Sequence, residues 1–329
     1  MTWRQALIDA GAAPVAFVPN PAAARGSKEE TAPADRAACV EGAELEAHPV
    51  PDRGGARIPP AVSFLAGFAR WGVVACDGII QVVDAYVAAA VRRRDGRGVL
   101  HTTFQRNRAF AVAPLERMTP GLRHVLEASV SDVEPIDGEL AEQPTRYLET
   151  VESTVRRVRA GLEREIAEEC IATLGAEEWL VLEGLLSRSP TVARHPRALG
   201  VINSHGTQFL EGRGLERALT LPAGHRTSVF AVRGGHTRTE VYSWYLRLWP
   251  WEGNDLLYGL LRVEARPDPA SVALASELSG WLVAERAPLA TPATRWDRLL
   301  YPLHNVEEYL KARAPRDLST ARHRLPVAS

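Results

Sequence analysis

The sequence predicts an α/β protein whose mixed sheet opens with a three-stranded antiparallel meander and is flanked by helices. Two Asp-Gly turns separate three apolar, β-branched runs between residues 71 and 113. Asp-Gly is favoured in type I′ hairpin turns, because both central residues of that turn need positive φ. A long amphipathic segment and then a short apolar strand ending in an acid follow. This order indicates that further strands complete the sheet and that helices flank it.

The meander begins at Trp71, and its first hairpin is closed by Asp77-Gly78. The sequence Asp-Gly-Arg-Gly at 95–98 closes the second hairpin. Residues 61–70 lead into the first strand and fit either a strand or a helical turn. The three predicted strands are Trp71–Cys76, Ile79–Arg94 and Val99–Ala113.

Two segments after the meander predict helices, at 119–131 and 143–175, because apolar residues recur there at steps of three and four. Glu169 falls nearly on the apolar stripe of the longer helix, and Glu165 falls at its edge. A buried carboxylate is costly unless it is paired or metal-bound, although an acid at the margin of the stripe can also reach water. The stripe consists of Val151, Val155, Val158, Leu162 and Ile166.

Shorter elements occupy the rest of the chain. Helical spacing predicts a short helix at Met1–Gly11 and two more near the C-terminus. Apolar runs between turn residues predict the later strands. The later strands are Trp179–Glu183, Ala198–Asn203, Ser228–Arg233, Arg238–Trp249 and Asp255–Arg266, and the last two helices are Ser271–Arg286 and Asn305–Ala312.

Composition is that of an ordinary globular protein of 329 residues, with 39 basic against 40 acidic residues. We divide it into an irregular N-terminal segment, 1–60, rich in Pro, Ala and Gly, and a main domain, 61–329. Its three cysteines have no metal-binding spacing and predict free thiols in a reducing cytosol. No apolar run is long enough to cross a membrane, so we expect a cytoplasmic protein.

Arginines cluster locally although the net charge is close to zero. One such cluster is most often a solvated face, whereas three around one sheet favour a nucleic-acid groove modestly. The aromatic run at 242–251 suits stacking on single-stranded bases, but its alternation suits a core strand better. The clustered arginines are Arg92, Arg93, Arg94, Arg106, Arg108, Arg156, Arg157 and Arg159.

Short blocks of sequence, in their order and spacing, carry a family resemblance. From residue 71 to about 318 the chain resembles the NurA family, nucleases that work with the HerA hexameric DNA-translocating ATPase. The blocks are VVACDGIIQVV (73–83), VLEGLL (181–186), GVINSHGTQFL (200–210), LPAGHRTSVF (221–230), YSWYLRL (242–248), LLRVEA (260–265) and DRLLYPLHNVEEYL (297–310).

The resemblance implies an RNase H-like fold with carboxylates around Mn²⁺ or Mg²⁺, hard cations that prefer oxygen ligands. It implies Asp77 as the first acid, before Gly78, although a plain hairpin turn also explains this pair. The helix acid would be Glu165, with Glu169 as its competitor, and Glu183 would be the acid at the end of the later strand. His304 would bind metal or donate a proton to the leaving oxygen.

The chain departs from the family pattern in two places. Glu183-Gly184 replaces a second Asp-Gly, and Asn203 replaces a frequent lysine. His205 lies near that position, but a lone histidine is more often structural than catalytic. In the C-terminal block Asp297 is a further possible ligand, or equally a surface acid.

The resemblance therefore implies a metal-dependent DNA nuclease that acts with a HerA-type ATPase in DNA end processing or antiviral defence. The chain has no GxxxxGK[ST] loop, so any ATP-driven step would belong to that partner. Relatives form homodimers, and we expect a dimer here. The two departures favour an alternative, a non-catalytic RNase H-like subunit that binds DNA or docks to the ATPase. An unrelated αβ enzyme is a third, generic reading.

Overall fold

A computed structural model describes residues 2–16, 37–52, 59, 61–234, 239–291 and 296–315. Within these ranges the chain forms one mixed sheet and helices on both of its faces. The strands are β1 (Ala13–Pro14), β2 (Ala38–Cys39), β3 (Ala47–Pro49), β4 (Ala61–Asp77), β5 (Ile80–Arg94), β6 (Leu100–Ala113), β7 (Val133–Pro135), β8 (Glu178–Glu183), β9 (Ala198–Ile202), β10 (His225–Thr227), β11 (Phe230–Gly234), β12 (Thr239–Arg247) and β13 (Leu260–Ala265). The α-helices are α1 (Trp3–Asp9), α2 (Pro120–Ser129), α3 (Pro144–Thr173), α4 (Pro190–Ala193), α5 (Gly212–Leu219), α6 (Pro269–Ala284) and α7 (Tyr301–Arg313).

The central strands of the sheet run in the order β9-β8-β4-β5-β6. The pairs β4–β5 and β5–β6 are antiparallel, whereas β8 is parallel to β4 and β9 is parallel to β8. β13, β12, β11 and β2 extend the sheet beyond β9, and β7 extends it beyond β6. This arrangement confirms the predicted α/β class and the antiparallel meander at its start.

The first strand begins at Ala61, ten residues before the predicted Trp71. The residues that sequence patterning left ambiguous are therefore strand, and their lack of alternation has a physical cause. Phe64 packs into the apolar layer that contains α6 and α7, while Leu65 packs into the layer that contains α3. A strand covered on both faces has apolar residues at successive positions, so it shows no period of two.

Four groups of apolar side chains build the core. In one of them, Trp71 of β4 and Val83 of β5 pack with the N-terminal half of α3. Val62 and Phe64 of β4 pack with α6 and α7 on one face of the sheet. Leu65 packs with the C-terminal half of α3 and with α4 on the other face. At the far end of the meander, Ala75 and Ile80 pack with α1 and α2. Two helical layers thus enclose the sheet, an arrangement expected of an α/β domain.

The aromatic strand β12 is core, as its alternation predicts. Trp244, Leu246 and Leu248 are fully buried in the layer of α6 and α7, and Tyr242 packs against the same layer. The Trp244 indole donates to Ser279 Oγ at 2.9 Å, so its polar atom is satisfied within the core.

The three short strands of the N-terminal segment belong to the same sheet. β1 pairs with β4, β2 with β11 and β3 with β10. The boundary at residue 60 remains a prediction, and much of the irregular stretch predicted before it lies outside the described residues. No helix in the described ranges combines the length and apolar character needed to cross a bilayer.

Close packing at the end of β8 makes Gly200 a sensitive position. A Cβ on Gly200 would lie 2.6 Å from Gly184 O and 3.1 Å from Leu186 N, both backbone atoms. We expect Gly200→Ala to lower the free energy of unfolding by roughly 1–3 kcal/mol. Gly161, in α3, has no atom within 4 Å of such a Cβ, so Gly161→Ala should raise stability by up to about 1 kcal/mol. Urea denaturation of both variants measures this difference, and equal stabilities would contradict it.

Candidate active site at the end of strand β8

The candidate site lies where β8 ends, at Glu183. Trp179 and Val181 pack into the layer of α6 and α7, and Glu183 follows them at a spacing of two on the same face. The Glu183 carboxylate is half-buried, and its Oε1 accepts a hydrogen bond of 2.9 Å from Asn203 Nδ2, just beyond β9. The two departures from the family pattern therefore contact each other.

Helix α7 brings two further ionisable side chains to this carboxylate. His304 and Glu307 are three residues apart, so they share one face of the helix. Together with Glu183 and Asn203 they line a cavity of about 260 Å³. His304 Nδ1 is buried and has no hydrogen-bond partner within the described part of the chain. A buried nitrogen of this kind is available to a ligand or a proton.

Helix α3 contributes a third acid, Glu163, which is buried. A Cβ on Gly67 of β4 would overlap Glu163 Oε1, so the absence of a side chain there makes room for the carboxylate. Arg159 Nε lies 3.3 Å from Glu163 Oε1, and Arg188 Nη1 lies 3.9 Å from its Oε2. These two arginines compensate a charge that would otherwise be costly to bury.

The three acids interact electrostatically. Burial, followed by the Glu307 carboxylate and then by Glu163, raises the pKa of Glu183 from 4.5 to about 7, although Arg159 and the Asn203 hydrogen bond act to lower it. Burial also raises the pKa of Glu307, against the opposing influence of Arg159. Repulsion between buried carboxylates favours uptake of a proton or of a cation.

The chemistry of the donors suits a hard divalent cation, which prefers oxygen ligands. Carboxylates from α3, β8 and α7 lie near the end of the strand, beside the His304 nitrogen that has no partner among the described residues. Among the described side chains, however, no three His, Cys, Asp or Glu residues stand close enough to hold a metal ion as placed. Binding would therefore require these carboxylates to converge by side-chain rotation.

Asp77 lies far from this cluster. Leu65 of β4 pairs with Leu182 of β8, and Asp77 is twelve residues further along β4, which corresponds to roughly 35–40 Å of strand. Its carboxylate accepts bonds from Thr119 N (2.6 Å) and Thr119 Oγ1 (3.0 Å), at the start of α2. Asp77 thus closes a hairpin and anchors a helix, and the structure does not bring it to Glu183. Ala66 and Gly67 are the residues of β4 next to Glu183.

The two acids of α3 that the sequence predicts as ligands also lie apart from Glu163, Glu183 and Glu307. Glu165 and Glu169 are both exposed, and both pair with Arg106 of β6, at 3.7 and 2.5 Å. The expectation that Glu169 lies on the buried stripe is wrong, because that part of α3 presents Ile166, Ala167 and Cys170 to the core instead. The acid of α3 that faces the end of β8 is Glu163.

Other candidates from the sequence have structural roles. Asp297 is buried and accepts hydrogen bonds from Gly259 N and Arg298 Nε, at 2.8 and 3.1 Å. His205 Nε2 hydrogen-bonds Leu260 O at 3.0 Å, and burial lowers the pKa of its imidazole to about 4. Neither side chain is therefore available to the cavity.

The arginine clusters do not form an open basic groove. Their members contact acids or other acceptors of the chain itself, which neutralises most of the charge that was expected to favour nucleic acid. The contacts are Arg92 with Asn305, Arg93 with Glu178, Arg94 with Glu285, Arg106 with Glu169, Arg108 with Asp132 and Glu134, Arg156 with Glu152, Arg157 with Glu134, and Arg159 with Glu163.

Sequence reasoning identified Glu183 and His304 but missed Glu163 and Glu307. For both of these acids, the spacing to a neighbouring residue indicates which helix face they share. Glu163 is three residues before Ile166 on the buried stripe, and Glu307 is three residues after His304. Neither spacing shows which helix face meets the end of β8, so the sequence offered no reason to prefer them to other acids.

No protein-family model matches this chain, and no curated protein matches it.

The raised pKa of Glu183 predicts a pH dependence of stability. The unfolded chain releases this proton near pH 4.5 and the folded chain near pH 7, so the free energy of unfolding should fall as pH rises through that window. Glu183→Gln removes the titrating group, and the fall should become smaller. Urea denaturation at pH 5 and pH 8 tests this, with Glu165→Gln as the control for loss of an exposed acid. A fall of the same size in the Glu183→Gln protein would contradict the assignment.

Proposed function

We propose that this chain is a metal-dependent DNA nuclease of the RNase H-like class, with its reaction centre at Glu183 rather than at Asp77. The observation that carries the proposal is that Glu163, Glu183 and Glu307, from three different elements, lie around the C-terminal end of β8, where Glu183 shares one cavity with Glu163 and another with Glu307. The pKa values of Glu183 and Glu307 are raised by burial, and acids with a raised pKa in a cavity are a recognised sign of a functional site.

The sheet topology supports the class. The meander β4-β5-β6 is followed by a long helix, α3, and then by parallel strands β8 and β9 on the other side of β4. This is the order that the family resemblance implies for the nuclease core. The resemblance to the NurA family extends the proposal to a partnership with a HerA-type hexameric ATPase, a homodimer and a cytoplasmic location.

A divalent cation, Mn²⁺ or Mg²⁺, would be held by Glu183 and Glu163, with Glu307 or His304 completing the set. When bound, such an ion activates water and stabilises the leaving oxygen of a phosphodiester. Arg159 keeps Glu163 in place, and the Asn203 amide orients Glu183. His304, whose Nδ1 has no hydrogen-bond partner among the described residues, would transfer a proton to or from a group in the cavity.

A second candidate function is a non-catalytic RNase H-like subunit that binds DNA or docks to the ATPase. The observation that favours it is the absence of an acid on β4 beside Glu183, where Ala66 and Gly67 lie. The hydrogen bond from Asn203 also engages one oxygen of Glu183 that a metal would need. These observations make a cleavage assay the decisive experiment.

The nuclease proposal predicts that linear DNA is cut in Mn²⁺ and that Glu183→Gln lowers the rate at least about a hundredfold, since each 1.4 kcal/mol of lost transition-state stabilisation is tenfold. Asp77→Ala should keep most of the activity, because Asp77 lies at the far end of the sheet. The assay compares native, Glu183→Gln and Asp77→Ala proteins with and without the ATPase partner. Loss of cutting in Asp77→Ala alone would move the centre away from Glu183, and no cutting by any protein would favour the non-catalytic subunit.

Metal binding can be tested without activity. Because a ligand that binds only the folded state stabilises it, Mn²⁺ should raise the melting temperature of the native protein. The shift should be smaller in Glu183→Gln and Glu163→Gln and unchanged in Glu165→Gln, whose acid is exposed and pairs with Arg106 of β6. Equal shifts in all four proteins would place the bound metal elsewhere.

A further inference from the structure

An arginine lies at the cavity where β8 ends. Arg298, just before α7, lines this cavity and is the one arginine or lysine in its described lining. The cavity's volume of about 260 Å³ includes open solvent, and its enclosed part has room for only about one water molecule. A ligand can therefore insert a single oxygen atom there, while its larger parts remain outside. The polar side chains that line the cavity with Arg298 are Glu183, Asn203, His304 and Glu307.

A buried carboxylate holds Arg298 by one nitrogen only. Asp297 is buried, and its Oδ2 accepts hydrogen bonds from Gly259 N at 2.8 Å and from Arg298 Nε at 3.1 Å. Neither Nη atom of Arg298 has a hydrogen-bond or ion-pair partner among the described residues, and neither is closed off from solvent. Because a guanidinium is a rigid planar fork, the bond at Nε restrains its plane and leaves both Nη atoms for another acceptor.

We propose that Arg298 binds a phosphate of the DNA backbone and holds one of its non-bridging oxygens at the cavity beside Glu183. The proposal rests on the proposed function and names the residue that would hold the scissile phosphate. The two Nη groups of an arginine bind phosphate oxygens through paired, charge-assisted hydrogen bonds. A phosphate would otherwise be repelled by the Glu183 and Glu307 carboxylates, so a cation at the same cavity offsets that repulsion.

A purely structural role does not account for this arrangement. Compensation of the buried Asp297 charge explains the bond at Nε, but it leaves the solvent-reaching Nη atoms without a purpose. Arg226, in contrast, places both Nη atoms on the Glu41 carboxylate, at 2.6 and 2.7 Å. Arg159, which acts electrostatically on Glu183, is paired with Glu163. Arg298 is therefore the cation at this cavity that an anionic substrate can reach.

The test measures DNA binding in EDTA, so that cleavage does not contribute. Fluorescence anisotropy of a short fluorescein-labelled duplex is recorded over a range of NaCl concentrations with native protein, Arg298→Gln and Arg298→Lys. Arg298→Gln should weaken binding at least about fivefold and lower the slope of log K against log [NaCl] by about one, as expected for the loss of one phosphate contact. The weakening should be equal for two unrelated sequences, because they share the phosphate. Arg298→Lys, which keeps the charge, should recover part of the affinity.

Two controls separate a phosphate contact from a structural role. Arg266 pairs through Nε with Asp268 Oδ2 at 2.9 Å, the same arrangement at the opposite end of β13, roughly 20 Å away. Arg266→Gln should leave the affinity and the salt slope unchanged. The double variant Asp297→Asn/Arg298→Gln removes both charges of the pair, and we expect it to bind DNA as weakly as Arg298→Gln. Urea denaturation of each variant confirms that it is folded before binding is compared.

Three results would overturn the phosphate contact: native affinity and salt slope in Arg298→Gln, an equal effect of Arg266→Gln, or native binding by the double variant. A cleavage assay in Mn²⁺ separates the two proposals. Cleavage by the native protein that Arg298→Gln retains with unchanged kcat and KM would sustain the nuclease and reject the role of Arg298. The expected binding results without any cleavage by the native protein would sustain the phosphate contact and reject the nuclease. Neither binding nor cleavage by the native protein would overturn both.

Discussion

The pairing of β4 with β8 is the constraint on which the rest of the structure depends. β4 is antiparallel to β5 over nearly its whole length but parallel to β8 only from Ala61 to Leu65. This short parallel contact determines which residues of β4 lie beside Glu183. Because the contact involves the first residues of a 17-residue strand, the hairpin turn at its other end is remote from the strand-end acid.

The pairing of β4 with β8 also explains why the buried acid near Glu183 is Glu163, which belongs to helix α3. Beside Glu183, β4 offers Ala66 on one face and Gly67 on the other, and neither carries a polar group. Gly67 leaves a space that the Glu163 carboxylate fills from α3. Two buried acids on adjacent elements are unfavourable without compensation, and Arg159 supplies part of it to both.

Charge is distributed unevenly over the surface around this centre. Most arginines of the three clusters contact acceptors of the chain itself, which stabilises the domain modestly, since exposed ion pairs contribute little. Arg164 does not belong to these clusters; it is exposed and has no acidic partner among the described residues.

The sequence by itself determined the α/β class, the meander with its two turns, the long helix and the core strand β12, because those features follow from local turn chemistry and from apolar periodicity. It also indicated two candidate site residues, Glu183 because it ends a predicted strand and His304 because of the family resemblance. It did not determine that β4 begins at Ala61, since a strand buried on both faces has no alternating pattern. Only the tertiary structure decided that Glu163 and Glu307, rather than Asp77, Glu165 or Glu169, accompany Glu183. The reason is that the buried side of a helix and the register of paired strands depend on packing between elements that are distant in the chain. The spacing of residues within one element does not encode that packing.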